Sequence, residues 1–167
     1  MASTYEKIAT TTLGSVATQI NFTSIGSTYT DLIIILQGNA GSGLEGLNVQ
    51  LGSSNTIDTA NNYSSTRLNG NGSAASSSRE TTTNVMNIGA IDNTSNGTTI
   101  IQIQNYSNST TYKTTLCRSN TAATYVRAGV GLWQSNNAVN CVRLTTGSVS
   151  NFTVGTTATI YGILKAA

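Results

Sequence analysis

The chain has no histidine and no proline, and charged residues make up only 8% of its 167 positions. Catalytic sites draw mostly on histidine and on clustered carboxylates. Here the first is missing and the second are few and scattered, so the composition argues against an enzyme. Aromatic residues are also scarce, at 6%. The formal net charge is +2, and the eight basic residues are spread along the chain rather than gathered into a stripe. That excludes the electrostatic footprint of a nucleic-acid binder. The longest apolar run, Leu32 to Leu36, is far too short to cross a bilayer, so no membrane partner is expected. The opening MASTYEKIATTT has no basic region followed by an apolar stretch, which predicts no secretory signal and synthesis in a cytoplasm.

Only two cysteines occur, Cys117 and Cys141. They fit neither a zinc spacing nor a redox motif, and they are expected as free, part-buried thiols. The acids Asp31, Glu45, Asp58, Glu80 and Asp92 never form a calcium-loop pattern. Asp58 with Asn61 and Asn62 makes an oxygen-rich cluster that reads as a plain loop. The Gly-rich Asn39-Ala-Gly-Ser-Gly43 lacks the lysine and helix of a phosphate loop. No metal or cofactor is expected.

The chain is rich instead in small polar residues, with 29 Thr, 20 Ser, 19 Asn and 16 Gly. Between them lie short runs of β-branched apolar residues, the composition of a β-sheet scaffold. Strands are predicted at 5–13, 19–22, 31–37, 47–51, 84–90, 98–106, 112–118, 125–133, 140–145 and 157–164. Leu32 to Leu36 is apolar at consecutive positions, as in a central strand buried on both faces. Leu47-Asn-Val-Gln-Leu51 alternates, placing Leu47, Val49 and Leu51 on the core side. The segment 69–84 has nothing to anchor a core and reads as an exposed loop or a ragged sheet edge. No window carries a helical period. About ten short strands over residues 1–167 predict one all-β domain, an antiparallel β-sandwich of jelly-roll type.

Strand parity sets Trp133 opposite Val126, Val130 and Leu132, and sets Arg118, Arg127 and Arg143 on the polar side of otherwise apolar strands. By that parity Arg127, Arg143 and Trp133 are too large or too charged for the core. They are the candidate contacts of a subunit or capsid interface; Trp133, at its strand end, is otherwise expected to cover the sandwich core.

Several stretches carry a family resemblance. Tyr5-Glu-Lys-Ile-Ala-Thr10, Ile20-Asn-Phe-Thr-Ser-Ile25, Tyr29-Thr-Asp-Leu32, Gln104-Asn-Tyr-Ser-Asn-Ser109, Tyr112-Lys-Thr-Thr115, Gly131-Leu-Trp-Gln134 and Thr159-Ile-Tyr-Gly-Ile163 resemble small virion proteins of tailed bacteriophages, of the kind carried by cyanophages. The resemblance implies a non-enzymatic jelly-roll protein on the exterior of a virion, made in the host cytoplasm. Its expected role is a capsid decoration (cement) protein that binds the major capsid protein, preferably as a homotrimer. The alternative it leaves open is a tail-fibre or receptor-binding module for host surface glycans, with Trp133 as an aromatic platform.

Overall fold

The structure, a computed structural model, describes residues 4–121, 124–147 and 150–164. Among the described residues there are thirteen strands and no helix. In chain order they are β1 (Tyr5–Thr12), β2 (Gln19–Phe22), β3 (Asp31–Gly38), β4 (Glu45–Ser53), β5 (Thr56–Ile57), β6 (Tyr63–Gly70) and β7 (Ala75–Thr83). There follow β8 (Met86–Ile91), β9 (Gly97–Ile103), β10 (Lys113–Thr121), β11 (Tyr125–Trp133), β12 (Cys141–Thr146) and β13 (Thr157–Ile163). An eight-stranded sheet runs β1-β13-β3-β9-β10-β11-β6-β7, and a five-stranded sheet runs β2-β12-β4-β5 with β8 also paired to β4. Every pairing is antiparallel. The two sheets enclose one apolar cluster, which makes the arrangement a β-sandwich.

All ten expected strands are present, and the alternation rule holds in β4, where Leu47, Val49 and Leu51 are fully buried. β3 lies inside the larger sheet between β13 and β9, with Leu32, Ile34 and Leu36 turned into the core. Its other face is only half covered: Ile33 is buried and Ile35 is intermediate.

The segment 69–84 departs from the loop expectation. It is the sheet edge, ordered as the β6–β7 hairpin. An edge strand is held by its backbone ladder and needs no apolar side chain. Asn71 Oδ1 accepts the Ser73 and Ala74 amides and shapes the turn, and Gly72 supplies its positive φ of 83°. An ion pair of 2.7 Å between Arg67 and Glu80 ties the two strands together.

The inner side of β11 is narrow in its middle. β8 of the smaller sheet packs across β10, β11 and β6, and a Cβ at Gly129 would lie 2.4 Å from the Ile88 carbonyl oxygen. One at Gly131 would lie 2.5 Å from Met86 Sδ. The facing positions of β10 are likewise small: Thr115, Cys117 and Ser119. We therefore expect Gly129→Ala to lower stability by about 1–3 kcal/mol in urea unfolding, because the backbone of β8 has to give way. Gly14→Ala, with nothing within 4 Å, is the control and should change stability by no more than about 0.5 kcal/mol.

Candidate functional site

With small residues turned inward, β10 and β11 carry their large aliphatic side chains on the outside. Leu116 is 42% exposed, Val130 47%, Val126 57% and, on the neighbouring β6, Leu68 62%. The register places them side by side: Gln102, Leu116, Val130 and Thr66 form one row across β9, β10, β11 and β6, and Ile100, Arg118, Ala128 and Leu68 form the next. The rows enclose a depression of about 480 Å³ lined by Leu68, Ile100, Leu116, Ala128 and Val130. A second depression of about 320 Å³ begins at the shared Leu116 and Val130 and continues to Leu132 and Arg79. Contiguous apolar surface of this kind marks interaction sites, whereas single exposed aliphatic residues need no explanation.

Strand parity assigned these faces the wrong way round in β11. Trp133 is 1% exposed, stacks on Tyr63 with ring centroids 6.4 Å apart, and donates its indole N–H to Asp58 Oδ2 at 2.8 Å. Arg127 is buried too. Its Nε donates to Asn69 Oδ1 at 2.7 Å, Nη1 donates to Asn87 Oδ1 and the Gly89 carbonyl, and the guanidinium lies 5.4 Å from the centre of the Tyr125 ring. Both residues point between the sheets: the expected exposure of Arg127 as a surface contact is corrected, and for Trp133 the interface assignment gives way to the core-covering one. Their parity is that of Gly129 and Gly131, which hydropathy alone did not mark as inward. Arg143, on β12 of the smaller sheet, is partly exposed and donates to Asn21 Oδ1 at 3.1 Å. The three residues form no common site.

The remaining reactive groups are held in structural roles. Lys113 is fully buried, and its Nζ donates to the Thr111 carbonyl at 2.6 Å and the Asn136 carbonyl at 3.4 Å. Burial pulls its pKa below the usual lysine value. Burial raises the Asp58 pKa, but hydrogen bonds from Asn62, Trp133 and Ala60 outweigh it, and the net shift is downward. Those bonds occupy both carboxylate oxygens. Asp92 is 2% exposed and behaves alike, burial being outweighed by bonds from Thr124, Thr94 and Ser95. Cys117 and Cys141 are free and buried in different sheets. Burial pushes the Cys117 thiol up to about 12, against a smaller opposing effect of the Arg127 guanidinium. Among the described residues, no three His, Cys, Asp or Glu side chains gather as metal ligands.

Two measurements check this account. Asp58→Ala leaves the buried Trp133 N–H without its acceptor and should lower stability by about 1–3 kcal/mol. The gap from wild type should narrow as pH falls below the ordinary aspartate value of 3.8, because a depressed carboxylate's contribution is whole above that value and is lost as pH drops through its lowered folded pKa. At the alkaline end, Cys117, Cys141, Tyr63 and Tyr106 are all raised by burial. The unfolded chain then loses protons first, so stability is intact below the ordinary thiol value of 9.0 and falls as pH rises beyond it. Lys113 acts in the opposite sense, since its unfolded form holds the proton longer, but it is one group against four. Melting temperature should therefore drop above that pH, and Cys117→Ala should remove one group's slope of about 1.4 kcal/mol per pH unit.

No protein-family model matches the chain, and comparison with curated proteins gives no match.

Proposed function

We propose that the chain is a non-enzymatic structural protein of a tailed-bacteriophage virion, a capsid decoration (cement) protein that binds the major capsid protein lattice from outside. The observation that carries this reading is the outer face of the larger sheet, where Leu68, Leu116, Val126 and Val130 stand exposed together. Beneath that face the charged and thiol groups are tied into the fold. Many copies on a lattice turn modest contacts of this kind into firm attachment, because linked sites gain avidity.

The winding supports the finer fold assignment. A jelly roll is a double sheet of eight strands in which the chain passes back and forth between layers. The order β1-β13-β3-β9 in one layer and β2-β12-β4-β8 in the other matches that winding. The hairpins β6–β7 and β10–β11, inserted between β4 and β8 and between β9 and β12, then widen the first layer. We read the domain as a jelly roll enlarged by two hairpins, and the outer apolar face lies largely on the enlargement. A homotrimer suits the local three-fold positions of an icosahedral lattice. Of the three residues first considered for its contacts, Arg143 alone keeps a partly exposed side chain. The glycan-binding alternative loses its aromatic platform, since Trp133 is buried under Tyr63.

Copy number is the test. Quantitative gel analysis of purified virions from the phage that encodes the chain should give hundreds of copies per particle. A handful to a few dozen copies would assign it to a fibre and overturn the decoration reading. Sedimentation of the purified chain should give a trimer, and a monomer that still coats particles would overturn that part.

A further inference from the structure

The apolar face has a cation in it. Arg118 is exposed on β10, with Ile100 and Ala128 as its cross-strand neighbours and Leu116 two residues away on the same side. Anything that covers Leu68, Leu116 and Val130 must therefore cover Arg118. Taking a guanidinium out of water without a counter-charge costs several kcal/mol, more than one aliphatic contact returns. Neutral oxygens would satisfy its donors, as they do for Arg127, but an occupant that brings an anion to that point also offsets the charge.

The neighbouring charges point the same way. On the part of the sheet formed by β9, β10, β11, β6 and β7, the other outward charged side chain is Arg79, opposite Thr66. Of the larger sheet's other carboxylates, Asp31 at the start of β3 accepts the Asn105 amide at 2.6 Å, and Glu6 is exposed on β1, the sheet's opposite edge from β7. A two-fold pairing of this face with itself would set arginine towards arginine. The chain also has little acid to offer a second copy: Asp58 and Asp92 are hydrogen-bonded within the fold, Asp31 accepts the Asn105 amide and Glu80 is paired with Arg67. That leaves Glu6 on the β1 edge and Glu45 at the start of β4 on the smaller sheet.

We propose that this face docks a different protein chain, through a patch of aliphatic side chains bearing a carboxylate that meets Arg118. The inference rests on the reading of the protein as a lattice-bound decoration and gives the chemistry of the capsid surface it binds. An arginine ringed by apolar side chains is the usual composition of an interface centre. The charge pair would fix register and partner choice, and the aliphatic contacts would supply most of the burial.

The test uses the whole chain, isotopically labelled, and three synthetic peptides of equal length. In each peptide leucine alternates with one other residue: glutamate, glutamine or lysine. The glutamate peptide should shift the amide resonances of Leu68, Leu116 and Val130 and bind at least about tenfold tighter than the glutamine peptide, with the difference shrinking at high salt. The lysine peptide should not bind. Arg118→Glu should reverse the order of the glutamate and lysine peptides, and Leu116→Asn should weaken both. Equal binding of all three, no binding of any, or shifts confined to another surface would overturn the proposal. So would a dimer in sedimentation that Leu116→Asn dissolves, which would make a second copy the occupant. Both substituted side chains are exposed, so the folded spectrum should persist; if one variant fails to fold, the other still decides. Virion copy number is read separately, so a failure here leaves the decoration reading standing, and a failure there leaves the peptide preference standing.

Discussion

At Gly129 and Gly131 the β11 backbone lies against Ile88 and Met86 of β8 with no room for a side chain between them. The arrangement of the larger sheet depends on that contact. Reading inward along β11, the sequence is Tyr125, Arg127, Gly129, Gly131, Trp133: bulky at both ends and bare in the middle. The sandwich is pinched at its waist and wider at either end. Aliphatic side chains that would ordinarily fill a core have no space at the waist, so β10 and β11 present them to solvent. Interiors pack to near-crystalline density, and here that density is reached by backbone and small residues in place of large ones.

The wide ends of the pinch hold two cations without carboxylates. Arg127 is held by amide and carbonyl oxygens from β6 and β8, and Lys113 by two backbone carbonyls. The chain has few acids, and among the described residues none of them lies beside either cation. Neutral oxygens satisfy the donors, though they do not cancel the charge, and the depressed pKa of Lys113 follows from that. Arg127 gains in return a bridge between the layers, since Asn69 belongs to the larger sheet and Asn87 and Gly89 to the smaller.

Much of this was legible in the sequence, and the parts that were not have physical reasons. The strands with apolar alternation stood out, and β4 was assigned down to the faces of Leu47, Val49 and Leu51. β6 was missed, and β7 was read only as a loop or a ragged edge, because strands of serine and threonine are stabilised by their ladder, which leaves no trace in hydropathy. The inversion of β11 was missed because alternation has two solutions, and hydropathy favours the one with valine inside; in β10 the parity that set Arg118 outward holds. The deciding signal was steric: two glycines spaced two apart in β11 lie next to a strand alternating threonine, cysteine and serine. Small residues at every second position of two paired strands mark a close approach of layers. Arg127 and Trp133 then follow the glycines inward by parity alone.

The pairing of β1 with β13 has a mechanical consequence. Tyr5 lies opposite Ile163 and Thr12 opposite Thr157, so both outer ends of this ladder sit at one corner of the sheet. Tension applied through both ends loads the ladder one rung at a time, and each rung resists with roughly 1 kcal/mol of net hydrogen-bond free energy. Tension along β9, β10 and β11 loads their rungs together, in shear. A load that pulls along these central strands therefore meets the stiff direction of the molecule, while the corner at Tyr5 and Ile163 is where it peels.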